Sequence, residues 1–110
     1  MYRPIRLPDK AARLRLRYNI GLQQIILMSK LDKLLEQVLR GSSDANTNFG
    51  DLCRLLRSLG FTERTRGSHH IFTKAGVVER VNLQREGNNA KVYQVRQVRA
   101  VIAKYKLGGE

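Results

Sequence analysis

Acidic side chains are scarce in this 110-residue chain, where 9 Asp and Glu stand against 21 Lys and Arg for a formal net charge of +12. That imbalance favours a polyanionic partner, either nucleic acid or an anionic membrane surface. Cysteine is nearly absent. Cys53 stands alone, which excludes an intramolecular disulfide and fits a reducing compartment, so the cytoplasm is the expected location. Long apolar runs are missing too: none approaches the ~18–20 residues of a membrane span. Ile25-Ile26-Leu27-Met28 is too short for a secretory signal, and no small-residue cleavage site follows it. The length excludes a large multidomain enzyme and allows one domain with one modest core. Disorder is excluded as well, because 42% of the residues are hydrophobic, close to the globular norm.

What is present falls into two parts. Residues 1–40 hold 9 basic and 3 acidic side chains, and residues 41–110 hold 12 and 6. Each part therefore carries half of the net charge, and the segment with globular patterning is itself basic. Residues 1–28 begin with Arg3, Arg6, Lys10, Arg13, Arg15 and Arg17, with Pro4 and Pro8 among them. They read as an unstructured basic extension, or as residues upstream of a natural start at Met28. Residues 29–110 read as a single domain.

Within that domain, Leu31, Leu34, Leu35, Val38 and Leu39 recur at helical spacing, with Ser29 as N-cap and Gly41 as stop. A second helix is expected from Asn48, where Asn48 and Asp51 have capping-box spacing, with Leu52, Leu55, Leu56 and Leu59 as its stripe and Gly60 as its end. Three strands follow, at 61–66, 69–73 and 77–83, the last two joined by a turn at Lys74-Ala75-Gly76. Residues 85–89 read as a loop. Val95, Val98, Val101, Ile102 and Tyr105 mark a last helix, with Arg96 and Arg99 outside and Gly108-Gly109 ending it. The order predicts an α+β fold, helix, three-stranded antiparallel sheet, helix, with an extra N-terminal helix. Both main helices would pack on one face of the sheet, leaving the other free for a ligand.

Arg64-Thr65-Arg66-Gly67-Ser68-His69-His70 holds both histidines of the chain, after a glycine that permits close backbone approach. Adjacent strand residues point to opposite faces, so the two imidazoles are poorly placed to share a metal. No HxxxH, HExxH or CxxC spacing exists, and a metal site is not expected. Ser68 beside His69 lacks an orienting carboxylate in the motif, and the glycines do not form a phosphate-cradling loop. RNA cleavage suits the residues better. The ribose 2′-hydroxyl is a nucleophile that RNA itself supplies. A histidine titrating near ~6.5 can move its proton, and cations such as Arg66 and Lys91 can offset phosphorane charge. No cofactor is required.

These residues carry a family resemblance. Residues 49–61, Arg66-Gly67-Ser68-His69-His70-Ile71-Phe72 and Lys91-Val92-Tyr93-Gln94-Val95-Arg96-Gln97-Val98 resemble the HicA toxins, mRNA interferases of toxin–antitoxin pairs, and the likeness extends over residues 29–107. The resemblance implies a double-stranded-RNA-binding-domain-like fold and a metal-independent endoribonuclease. It makes His69 the catalytic histidine, with Arg66, Gly67, Ser68 and Lys91 as RNA contacts and His70 structural on the other face. It also implies mRNA as substrate and a HicB-type antitoxin as protein partner. The oligomeric state of the free chain stays open, a monomer included. The alternative is a non-catalytic RNA-binding module of the same fold. A DNA-binding regulator fits less well, since no helix-turn-helix spacing precedes the last helix.

Overall fold

The computed structural model describes residues 30–108. Helix α1 spans Lys30–Arg40 and α2 spans Phe49–Ser58, with a 3₁₀ turn at Asp44–Asn46 between them. Strands β1 (Thr62–Arg66), β2 (His69–Lys74) and β3 (Val77–Leu83) follow. A short hairpin, β4 (Arg85–Glu86) and β5 (Asn89–Ala90), leads to α3 (Val92–Tyr105). The three longer strands form one antiparallel sheet in the order β1-β2-β3. The architecture is therefore the expected α+β arrangement, like that of a double-stranded-RNA-binding domain with an added N-terminal helix.

Local chemistry accounts for the helix ends. Gly41, at φ 74°, closes α1 by donating to Gln37 O and Val38 O. Asn48 caps α2, its Oδ1 accepting from Asp51 N at 2.9 Å. The Asp51 carboxylate pairs with Lys30 and Arg54 instead of completing a capping box. At the other end Gly60 (φ 97°) donates to Arg57 O and Phe61 N donates to Leu56 O, the two bonds of a Schellman motif. The proposed Ser29 cap, the 1–28 extension and Gly109 lie outside the described residues.

The core forms between the helices and the inner face of the sheet, with α1 packed on α2 and α3. Leu52, Leu56, Phe72, Val81, Leu83, Val95, Val98 and Ile102 are fully or almost fully buried. From α1, Leu35 and Val38 are buried and Leu31, Leu34 and Leu39 pack against them. Alternation along the strands puts Phe72, Val81 and Leu83 beneath the helices. Exposed Arg64, Arg66, His69, Thr73, Arg80 and Asn82 line the opposite face, together with half-buried Ile71.

Three local expectations differ from the structure. Residues 85–90 form a hairpin and not a loop, with Gly87 at φ 63° in its turn. Phe49 N donates to Asn88 O and Ala90 N to Thr47 O, both at 2.9 Å, so the hairpin is docked on the start of α2 by main-chain bonds that its polar side chains do not announce. Arg99 is not an outer residue: it reaches back to Asp44 through both terminal nitrogens (2.9 and 3.1 Å) and to Val38 O at 3.1 Å. Finally, α3 ends at Tyr105, before Gly108, because Lys106 adopts the left-handed conformation at φ 54°.

Candidate active site on the open face of the sheet

A two-residue turn sets the site. Arg66 pairs with His69 across β1 and β2, leaving Gly67 and Ser68 as the connection. Gly67 has φ 57° while Ser68 does not have a positive φ, the sign pattern of a type II′ hairpin turn. A side chain at Gly67 would meet no atom within 4 Å. This glycine is thus used for its backbone conformation, and the expected close approach does not occur among the described residues.

The register separates the two histidines. His69 faces outward with Ile71, and His70 faces the helices with Phe72. They do not share a ligand position, as strand alternation requires. His70 Nδ1 donates to Glu63 Oε2 at 2.8 Å, and its ring stands edge-on to Phe49 with centroids 5.0 Å apart. Arg57 donates to the other oxygen of Glu63 through Nε and Nη2, at 2.9 and 2.6 Å. Burial pushes the Glu63 carboxyl up, but the hydrogen bonds from His70 and Arg57 outweigh it and hold the group below its ordinary value.

His69 is held by amides. Its Nδ1 lies 3.2 Å from Asn82 Oδ1, and its Nε2 lies 3.5 Å from the Gln84 amide nitrogen. With the Asn82 oxygen as acceptor, Nδ1 carries the proton and the lone pair is on Nε2. The Gln84 amide also donates to Ser68 Oγ at 3.1 Å. Gln84 is in turn fixed from below. Gln94, 1% exposed, accepts from Gln84 N at 3.2 Å and from Lys91 N at 3.4 Å. Lys91 is the N-cap residue of α3, and its main chain joins the site through Gln94. No hydrogen bond among the described residues links it to His69.

The charges sort by face. Glu63 and Glu79, the only carboxylates of the three main strands, both lie on the helix side, where Glu79 accepts from Lys104 and Tyr105. Arg64, Arg66 and Arg80 lie on the open face, and none forms an ion pair with a described residue. With Ile71 and Thr73 they line a shallow cleft of about 200 Å³. Arg66, Gly67, Ser68 and His69 lie together at the turn between β1 and β2. Arg64, Arg80, Asn82 and Gln84 join them, although sequence reading did not single them out. Their signal was register: the even-numbered residues of β3 share a face with His69, and so does Arg64, which pairs with Ile71 across β1 and β2.

Metal ligation was not expected from sequence spacing. The structure nevertheless brings one ligand atom each of Cys53, Glu63 and His70 within 4.8 Å of one another on the helix side. Cys53 is buried. Burial, with the nearby Glu63 charge, pushes its thiol up to about 11, so it is no nucleophile near neutrality.

Among the described residues no helix is long and apolar enough to cross a membrane. No curated protein and no solved structure matches the chain. The family model described as the HicA toxin of bacterial toxin-antitoxin matches residues 49–104, which run from the first residue of α2 through the sheet to the last turn of α3 and include the whole outward-facing cluster. Over that segment, more than half of its length, the chain belongs to the HicA toxin family.

Proposed function

We propose that the chain is the toxin of a toxin–antitoxin pair that cleaves mRNA, with His69 as the catalytic base. The observation that carries this reading is the placement of His69: an exposed imidazole whose Nδ1 faces the Asn82 oxygen and whose Nε2 lies 3.5 Å from the Gln84 amide, on a sheet face where Arg64, Arg66 and Arg80 form no ion pair with a described residue. Nε2 takes the proton of a ribose 2′-hydroxyl, and the oxygen attacks the adjacent phosphorus. The bond to the 5′-oxygen breaks, and that oxygen takes up a proton. The products are a 2′,3′-cyclic phosphate and a 5′-hydroxyl end. Arg66, with Arg64 and Arg80, offsets charge on the phosphorane. Gly67 and Ser68 shape the approach to His69, and Lys91 adds charge at the start of α3. No carboxylate stands on the open face of the three main strands, so those strands offer no anionic oxygen ligand for magnesium there. Cleavage therefore needs no added magnesium. A HicB-type antitoxin is the protein partner that family membership implies.

The test is RNA cleavage, or growth arrest, by His69→Ala beside His70→Ala. General acid–base catalysis contributes roughly 10²–10⁴-fold, so His69→Ala falls by about that factor while His70→Ala keeps cutting. Full activity in His69→Ala removes the assignment. Binding of RNA without product at any protein concentration makes the same face a non-catalytic RNA platform.

A further inference from the structure

The face of the sheet opposite His69 holds a cluster that RNA cleavage does not use. We propose that Cys53, Glu63 and His70 form a site for one thiophilic divalent cation, Zn²⁺ in the first instance. The three residues come from α2, β1 and β2, and each offers one ligand atom within 4.8 Å of the other two. In a tetrahedral zinc site, with bonds of about 2.0–2.3 Å, ligand atoms stand roughly 3.3–3.8 Å apart. Small side-chain rotations would draw the sulfur in and part Glu63 Oε2 from His70 Nδ1, which stand 2.8 Å apart without metal.

The surroundings favour ligation over a chance cluster. Arg57 holds one oxygen of Glu63 and leaves the other directed at His70. That is the role of an outer partner which orients a carboxylate ligand. Phe49 fixes the plane of the His70 ring. The cysteine sulfur is buried, while the Glu63 and His70 side chains keep 19% and 27% of their exposure, so a cation has a way in and solvent can fill a fourth position. A thiolate, a carboxylate and a neutral imidazole balance the two positive charges of the ion. The sulfur selects zinc over magnesium or calcium. On binding, the cation replaces the thiol proton, which leaves to solvent. The proton of His70 Nδ1 moves to Nε2 and frees the Nδ1 lone pair.

The experiment uses the full chain without a histidine tag, stripped with a chelator and titrated with Co²⁺. The expected result is one equivalent bound, with tetrahedral d–d bands and a thiolate-to-cobalt charge-transfer band, all displaced by Zn²⁺. Cys53→Ser and His70→Gln lose the bands, and His69→Gln keeps them. Zn²⁺ raises the Tm of the parent chain and of His69→Gln but not of the other two. Circular dichroism of the metal-free variants checks folding. If either variant does not fold, the parent titration decides by itself through the charge-transfer band. Binding below one equivalent at micromolar protein, no charge-transfer band, or bands that survive in Cys53→Ser overturn the proposal. None of these readouts involves RNA, so they stand apart from the test of the nuclease.

Discussion

The two neighbouring histidines have opposite surroundings, and a single register separates them. The Gly-Ser-His motif was legible because a glycine, a small polar residue and a lone titratable group stand together among arginines. Which imidazole faced outward was not legible, since Ile71 and Phe72 are both apolar and alternation fits either phase. The partners of His69 were also hidden: Asn82 and Gln84 lie 13 and 15 positions away and are ordinary strand amides until the pairing of β2 with β3 is known. Their geometry makes a prediction. Asn82→Ala removes the acceptor at Nδ1 and lowers kcat about tenfold, the worth of one hydrogen bond, with KM little changed. Asn82→Asp, which restores an acceptor, recovers most of the loss. Single-turnover cleavage at saturating RNA measures both. A change confined to KM would place Asn82 in RNA binding instead.

At the level of elements, the strong periodic signals read true. The leucine stripe of α2, the seven residues of β3 and the valine face of α3 follow from burial alone, because Leu52, Val81, Leu83, Val95 and Val98 have nowhere else to go. The β4–β5 hairpin escaped because main-chain bonds hold it to the start of α2, and such bonds leave no mark in side-chain pattern. Gln94 shows the same limit. It lies within an apolar helix face and is as buried as its neighbours. Its side-chain oxygen serves two backbone donors, one leaving β3 and one entering α3. Gln94→Leu strands both. At about 1–3 kcal/mol for an unsatisfied buried group, urea denaturation of this variant shows a clear loss of stability, with the midpoint lowered and the slope unchanged. Because Gln84 loses its anchor, cleavage falls by more than unfolding explains.

For the molecule as a whole, charge is the organising variable. Replacing Arg64, Arg66 and Arg80 together by Gln weakens RNA binding. It also flattens the dependence of log K on log salt by about 2 units, at roughly 0.7 per phosphate contact on a single strand. Filter binding over a salt series measures the slope, and an unchanged slope would put the RNA elsewhere. Acid acts on the other face. A hydrogen bond from Arg54, with Lys30 nearby, holds Asp51 below its ordinary 3.8, and bonds from Tyr105 and Lys104 hold Glu79 below 4.5. Folded values below unfolded ones give stability that is complete above the unfolded values and lost as pH falls through the lowered folded values. These carboxylates therefore make Tm at constant ionic strength decline below about pH 4.5. The sorting of charge by face has one more consequence. The helix side has its strand carboxylates already answered, whereas His69 and the guanidinium groups of Arg64, Arg66 and Arg80, without ion-pair partners among the described residues, share one face of the sheet. One acidic lid laid over that surface would silence the chain twice, by evicting the polyanion and by hiding the base, without disturbing the packed interior.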